Sequence, residues 1–356
     1  MLVLRKLFLI LTALVVLVGA GAGLWVWQGL QTLNKPVALD ETVLFTVEPG
    51  TSFNGLAHEL SRRGLVSDSL WLRLYGRLNP EQTRIKAGDY ELAPGMTPVA
   101  VVETMVEGNV KLWAVQFIEG WTFADLRAEL ARTDRLEKVT TDWTSQQVME
   151  ALGAGGQHPE GWFFPDTYMF SSSETDLDIL KRAYNRMVSV LEEEWPNRAE
   201  GLPYDTPYEA LIMASIIERE TGVPYERQQV AGVFVRRLQK GMRLQTDPTV
   251  IYGMGESYDG RIRTRDLRAY TPYNTYRIDG LPPTPIALPG RDSVYAALHP
   301  DDGDALYFVA RGDGSHTFSK TLAEHQKAVR EFQLNRKEGY RSSPAPKAQT
   351  ENAGEN

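Results

Sequence analysis

The feature that most constrains this chain is an apolar run near its N-terminus, because Leu7 to Leu30 contains no charged residue. A helix rises ~1.5 Å per residue, so this run reaches ~36 Å, enough to cross the ~30 Å hydrocarbon core of a bilayer. Arg5 and Lys6 precede the run, and Trp25 and Trp27 lie near its far end, where indole rings favour the membrane interface. The run predicts a transmembrane helix over these positions.

The flanking charges also predict how this helix is oriented. Positive residues tend to stay on the cytoplasmic side, so residues 1–6 are expected in the cytoplasm and the rest of the chain outside it. This describes a single-pass protein of the inner (plasma) membrane, anchored by residues 7–30, with its main part in the periplasm. The alternative is a cleaved signal peptide, since Ala20-Gly21-Ala22 has the pattern of a cleavage site. Either interpretation exports most of the chain.

The composition excludes several classes of function. The chain carries 38 Lys and Arg against 46 Asp and Glu, a formal net charge of −8, and an acidic chain attracts nucleic acid poorly. It has no cysteine, so disulfides, thiolate metal sites, a cysteine nucleophile and a lipidated cysteine are all excluded. Its five histidines lack the spacing of metal ligands. We expect neither a metal nor another cofactor.

Beyond the apolar helix, the pattern divides the chain into a linker at 31–42, a small module at 43–109, a larger domain at 110–334 and a disordered tail at 335–356. In the small module a strand, two helices and a second strand are predicted in that order. This order resembles a LysM module, a small fold that binds N-acetylglucosamine chains. A spacer without affinity for glycans is the alternative. The larger domain mixes strands and helices, so the predicted class is α+β.

One predicted helix of the larger domain carries a carboxylate. Thr206 and Glu209 have the pattern of a capping box around its start, and Gly222 suits its end. Residues 210–217 are apolar or small on all sides, which is typical of a buried helix. Glu218 follows in the third turn, where a carboxyl beside an apolar surface loses hydration and keeps the neutral form that a general acid needs.

An ordinary explanation for Glu218 also exists, because a glutamate near the end of a helix often pairs with a basic residue. Glu220 lies two positions further along and does not share the face of Glu218. We therefore expect Glu220 to be a solvated or ion-paired neighbour rather than a member of the site.

The same helix resembles a segment of a known family. Residues 214–221, with the sequence ASIIERET, are similar to the catalytic segment of the YceG-like endolytic murein transglycosylases. Further stretches match that family in the same order, namely Glu160-Gly161, Phe164 to Tyr168, Gly241 to Gly253, Pro272 to Tyr276, Gly280 to Pro283 with Pro285-Ile286, Ala296 to Pro300, and His316 to Ser319. With the apolar helix and the small module included, the resemblance covers residues 1–334.

This resemblance implies an activity and a set of site residues. The activity is non-hydrolytic cleavage of the bond from N-acetylmuramic acid to N-acetylglucosamine in peptidoglycan, which leaves 1,6-anhydro ends and terminates nascent strands. By the resemblance, Glu218 protonates the glycosidic oxygen and then accepts the proton of the sugar's own 6-hydroxyl, the nucleophile. The residues assigned to substrate binding are Gln245, Asp247, Asn274 and Tyr276. The implied partners are peptidoglycan glycan strands, the membrane and peptidoglycan synthases, and not nucleic acid.

Two other functions fit the same residues. A muramidase would hydrolyse the same bond and needs a second carboxylate, for which Asp247 and Asp166 are the candidates. A non-catalytic scaffold would bind glycan through the small module and recruit synthetic enzymes. Two of the binding residues also have structural alternatives, since Asp247 suits an N-cap before Pro248 and Asn274 suits a turn.

Overall fold

The N-terminal apolar segment forms one long helix in the computed structural model, which describes residues 2–334. Helix α1 (Leu2–Gln31) extends beyond the predicted span of 7–30 at its start. The stretch Leu4–Asn34 is long and apolar enough to cross a membrane, a criterion that a signal sequence also satisfies. The tail predicted at 335–356 lies outside the described residues.

The first compact unit comprises the chain up to Ala114 together with residues 134–137 and 169–175. Its elements after α1 are β1 (Val43–Val47), α2 (Phe53–Arg62), α3 (Ser69–Leu78), β2 (Gly88–Leu92) and α4 (Pro98–Glu107). Strands β1 and β2 pair antiparallel along their whole length. The predicted order of strand, helix, helix and strand is therefore observed, and the LysM-like identity of this module stays a prediction.

Side chains from both strands and the helices form a buried core in the first unit. Phe45 and Val47 alternate along β1 and face inwards, where Leu56, Leu72 and Tyr90 pack with them. Burial of each such side chain removes apolar surface from water and stabilises the fold by ~2 kcal/mol. The small module thus has a core of its own.

The predicted linker after α1 is packed rather than free. Two of its side chains, Leu33 and Val37, are buried in the core of the first unit. The end of α1 packs there as well, since the rings of Trp25 and Trp71 lie 4.6 Å apart. A Cβ at Gly29 would overlap the Trp71 indole, so only glycine permits this approach. The apolar residues of this segment pack against the core of the first unit. The polar and turn-forming residues around them gave no indication of this packing.

The second compact unit comprises residues 115–133 and 138–168 and the chain from Asp176 onward. Its helices are α5 (Phe123–Arg132), α6 (Ser145–Ala151), α7 (Asp176–Glu194), α8 (Pro207–Glu220), α9 (Arg227–Gln239), α10 (Asp247–Met254), α11 (Thr264–Arg268), α12 (Arg291–Leu298) and α13 (Leu322–Val329). Strands β5 (Tyr307–Ala310) and β6 (His316–Ser319) also belong to it, and the residues of β3 (Trp113–Gln116) and β4 (Thr167–Phe170) are divided between the two units. Strand β3 pairs with β4, and β5 with β6.

Helix α8 lies at the centre of the second unit. It packs against α9, α10 and α12, and every residue from Ala210 to Ile217 is buried. The predicted buried helix is thus confirmed, and the mixture of helices with small sheets confirms the α+β class. The units themselves are not separated at one point of the chain, because two short segments from the middle of the sequence pack with the first unit.

Candidate active site

Helix α8 is fixed at its start by the predicted capping box. The Thr206 hydroxyl accepts a hydrogen bond of 3.3 Å from the Glu209 N–H, and the Glu209 carboxylate accepts one of 3.1 Å from the Thr206 N–H. These bonds satisfy backbone donors that the helix leaves unpaired. Because the middle of the helix is buried, its last turn, which carries Glu218 and Glu220, is held in a fixed place.

The Glu218 carboxyl meets polar groups from two other parts of the chain. Its side chain is 6% exposed. The backbone N–H of Gly290 donates a hydrogen bond of 2.9 Å to its Oε2, and Nη2 of Arg227 lies 3.7 Å from its Oε1. The expected apolar surroundings are therefore wrong in part. The ordinary alternative, a glutamate paired with a basic residue, is realised here within a cavity.

Arg227 brings three carboxylates together at the start of α9. Its guanidinium lies 3.7 Å from Glu119, 3.7 Å from Glu218 and 3.3 Å from Asp292. Burial of Glu119, together with the nearby charge of Glu218, raises the pKa of Glu119. One guanidinium cannot neutralise three negative charges, so the cluster favours the acid form of Glu119.

Glu220 faces a different set of groups. Its Oε1 accepts a hydrogen bond of 3.1 Å from the Thr246 hydroxyl, and Asp247 follows Thr246 at the start of α10. Burial, and after it the charge of Asp247, raises the pKa of Glu220 to about 7. No cation pairs with this carboxyl in the described part of the chain. The expected ion pair of Glu220 is wrong, and its side chain is only partly exposed because Thr246, in the turn before α10, contacts the end of α8.

Two of the predicted binding residues are joined by a hydrogen bond, and a third is held by an arginine. The Tyr276 hydroxyl donates a bond of 2.7 Å to Oδ1 of Asp247, which makes no side-chain cap on its own helix. Gln245 accepts a bond of 2.5 Å from Nη2 of Arg237. The φ of Gln245 is 55°, a left-handed conformation that is uncommon outside glycine, and the contact with Arg237 stabilises it.

Asn274, the fourth predicted binding residue, is buried and serves the loop around it. Its Oδ1 accepts a hydrogen bond of 3.0 Å from the Tyr276 N–H. Its Nδ2 donates to three backbone carbonyls, those of Asp266, Leu267 and Ala269. The amide is fully engaged, so the structure places Asn274 behind Tyr276, as the turn alternative requires.

A cavity of about 940 Å³ within the second unit joins these groups. Of the residues predicted from the sequence, its lining includes Glu218, Gln245, Asp247 and Tyr276, and Asn274 lies outside it. Its lining also includes Glu119, Glu220, Arg237 and His316. The volume is near the upper end of the range of small-molecule pockets, ~300–1,000 Å³, so an extended ligand fits. Within residues 2–334, no group of three or more His, Asp and Glu side chains is arranged to hold a metal ion.

The family of the chain follows from a match over most of its length. Residues 45–331 match the model of the YceG-like family. The chain belongs to the YceG-like family. It is 30% identical over 321 residues to the endolytic murein transglycosylase of Bacillus subtilis, and the alignment covers 85% of this chain and 88% of that relative.

Two further YceG-like comparisons extend this result. The endolytic murein transglycosylase of Streptococcus pneumoniae strain D39 is 26% identical over 319 residues, which cover 80% of this chain and 57% of that relative. The crystal structure of a YceG-like protein from Listeria monocytogenes superposes with a TM-score of 0.51 at 30% identity, covering 81% of this chain and 99% of that one. The predicted family is thus confirmed.

Functional candidates that the sequence did not single out line the cavity or contact residues that line it. Glu119 and Arg227 reach Glu218 only through the tertiary fold. Glu226 accepts hydrogen bonds from the His316 N–H at 2.9 Å and contacts its Nδ1 at 2.8 Å, which fixes the imidazole at the cavity wall. The sequence did contain one indication of them, namely the charged pair Glu226-Arg227 shortly before the apolar stretch at 230–235.

Proposed function

We propose that this YceG-like protein is an endolytic lytic transglycosylase of peptidoglycan. It cleaves the β-1,4 bond from N-acetylmuramic acid to N-acetylglucosamine within glycan strands without adding water. The names of its bacterial relatives support this activity. The observation that carries the proposal is the position of Glu218, a nearly buried carboxyl at the end of a rigid helix and on the wall of a large cavity.

The reaction uses the Glu218 carboxyl in two protonation states. The acid form protonates the glycosidic oxygen as the bond from that oxygen to C1 of N-acetylmuramic acid breaks. The 6-hydroxyl of the same sugar forms the new bond to C1, and its proton passes to the carboxylate, which restores the acid. A hydrolase needs a second carboxylate as nucleophile or to activate water, whereas a hydroxyl on the same sugar ring is already at high effective concentration.

The contacts of Glu218 stabilise the carboxylate that exists midway through this reaction. After proton donation, its carboxylate has the Gly290 N–H and the Arg227 guanidinium as partners. Glu119 also lies 3.7 Å from Arg227, and its raised pKa favours the acid form, which adds no further negative charge beside that carboxylate. Arg227 and Gly290 are therefore positioning residues in this proposal, and Glu218 is the catalytic residue.

The substrate is held by the polar residues that share the cavity with Glu218. Gln245, Asp247 and Tyr276 supply amide, carboxylate and hydroxyl groups of the kind that bind sugar hydroxyls and acetamido groups. Asn274 acts through the loop that it holds in place behind Tyr276. No metal or organic cofactor takes part in the proposed reaction.

The proposed location places the cavity beside newly made glycan. Helix α1 crosses the inner membrane with Arg5 and Lys6 in the cytoplasm, so the second unit lies in the periplasm. There the enzyme ends the elongation of nascent strands next to peptidoglycan synthases, and the LysM-like module binds glycan. Digestion of a C-terminal epitope by protease in intact cytosol-side-out vesicles would contradict this orientation.

The proposed activity is tested by the products that the full-length chain forms from purified glycan strands in detergent. Mass spectrometry is expected to find ends that are lighter than reducing ends by one water. The Glu218→Gln variant keeps the shape of the side chain but cannot cycle a proton, so it is expected to form no such ends. An unchanged melting temperature shows that the variant is folded.

Other products would support the alternatives. Ordinary reducing ends would indicate a muramidase, for which Asp247 is the better placed second carboxylate. Asp166 does not line the cavity, and its carboxylate accepts a hydrogen bond from the Thr167 N–H. If Glu218→Gln restored function in cells that lack the protein, a non-catalytic scaffold would be the better explanation.

A further inference from the structure

Glu220 is a cavity-lining carboxyl that the proposed reaction does not use. It lies in the last turn of α8, two positions after Glu218, and both side chains line the same cavity. Its one hydrogen-bond partner among the described side chains is the Thr246 hydroxyl, which donates to Oε1 at 3.1 Å. The second carboxyl oxygen is therefore left for a proton or for a ligand.

The groups that face Glu220 come from three parts of the chain. Asp247 at the start of α10 adds negative charge beside it, and Tyr276 directs its hydroxyl hydrogen to that aspartate at 2.7 Å. Two cavity-lining arginines are engaged elsewhere, since Arg237 on α9 donates to Gln245 at 2.5 Å and Arg219 donates to the Gly120 carbonyl at 2.9 Å. Negative charge without an ion pair opposes ionisation of Glu220, and burial acts in the same direction.

Three hydrogen-bond donors on this wall are already directed at protein acceptors. The Thr246 hydroxyl donates to Glu220, the Tyr276 hydroxyl to Asp247, and Nη2 of Arg237 to Gln245. A carboxylic acid adds a further donor to this wall, beside the Nε2 amide of Gln245. N-acetylated sugars carry acetamido carbonyls, and such an oxygen needs a donor when it is removed from water.

We propose that Glu220 binds the glycan as a neutral carboxylic acid, donating a hydrogen bond to an acetamido carbonyl while Glu218 alone transfers the proton. This inference rests on the proposed activity, since it assigns a binding role within the same cavity. Glu218 and Glu220 thus need different protonation behaviour. Glu218 must gain and lose a proton in each cycle, and Glu220 must keep its proton throughout.

The test compares the same substitution at both positions in the full-length enzyme in detergent. Initial rates of anhydro-end formation from purified glycan strands are measured from about pH 5 to about pH 9 for wild type, Glu220→Gln, Glu220→Ala and Glu218→Gln. Glutamine is neutral at every pH and retains an N–H donor. We expect Glu220→Ala to lower kcat/KM at least tenfold at about pH 6, and Glu220→Gln to restore most of that loss.

The pH profile separates this role from a purely structural one. The pKa of Glu220 is raised to about 7, so wild type loses the donor as the pH rises through neutrality and its kcat/KM falls. In Glu220→Gln the fall is expected to move to higher pH. In Asp247→Asn the charge that helps hold the proton is gone, so the fall is expected to move to lower pH.

Two results would overturn the inference. One is that Glu220→Gln is as inactive as Glu220→Ala at every pH, which would mean that the carboxylate itself is required. The other is a Glu220→Gln profile that coincides with wild type. Either of these with an inactive Glu218→Gln refutes the role of Glu220 alone. Activity in Glu218→Gln refutes the proposed function itself.

Discussion

Glu160 is a buried carboxyl that couples the stability of the second unit to pH. It is 3% exposed, its Oε1 accepts a hydrogen bond of 2.9 Å from the Phe123 N–H, and its Oε2 accepts one of 3.0 Å from the Tyr252 hydroxyl. These bonds favour the carboxylate. Burial outweighs them and raises the pKa of Glu160 from 4.5 to about 7. The perturbation is Glu160→Gln, which is neutral at every pH and keeps an acceptor for Phe123.

The magnitude follows from the size of this shift. A rise of ~2.5 pH units at ~1.36 kcal/mol each gives ~3 kcal/mol. The folded state binds this proton more tightly than the unfolded chain. The stabilisation is therefore fully present below about pH 4.5 and is lost as the pH rises through about 7. In a unit of this size, ~3 kcal/mol corresponds to ~6 °C or more in Tm.

The assay is the Tm of wild type and Glu160→Gln in the same detergent from about pH 5 to about pH 8. We expect the Tm of the variant minus that of wild type to increase by ~5 °C or more across this range, because ~2.5 kcal/mol of the stabilisation is lost between these two pH values. Titrating groups common to both proteins, including Glu220, cancel in this difference. A difference that stays constant within ~1 °C would contradict this expectation, because it would show that Glu160 does not exchange its proton in this range.

Three further substitutions test packing and positioning. Gly161 has φ of 83°, and a Cβ there would lie 2.6 Å from a proline side chain. Gly153 has a similar φ of 77° but open space around it, so Gly153→Ala is the matched control. We expect Gly161→Ala to lower the free energy of unfolding by ~1–3 kcal/mol more than Gly153→Ala does. Arg227→Met removes the cation beside Glu218 and is expected to lower the cleavage rate at least tenfold, with Arg227→Lys as the control that keeps the charge. Gly29→Leu is expected to expose the first unit to limited proteolysis, because the side chain would displace an indole ring of α3.

Local signals in the sequence predicted α8 well. The capping pattern, the apolar middle and the position of Glu218 all lie within one helix. Hydrogen bonds between residues three positions apart set its start. The same holds for α1, whose length and apolar composition are read directly from consecutive residues. Such features depend on nearby residues alone, so a single sequence contains what is needed to find them.

The groups that surround Glu218 and Glu220 could not be predicted from neighbouring residues. Gly290 reaches Glu218 across 72 positions, and Thr246 reaches Glu220 across 26. Glu220 was expected in solvent because its helical face differs from that of Glu218. Thr246, in the turn before α10, contacts the end of the helix, so Glu220 is only partly exposed.

The apolar N-terminal helix, the buried helix α8 and the carboxyl at its end each follow from the order of neighbouring residues. The groups that surround that carboxyl depend instead on how distant parts of the chain fold together. Arg227 and Glu119 come from separate parts of the chain, and the Arg227 guanidinium lies 3.7 Å from each of Glu119 and Glu218. Electrostatic interactions and desolvation depend on distance in space, and the fold alone fixes that distance.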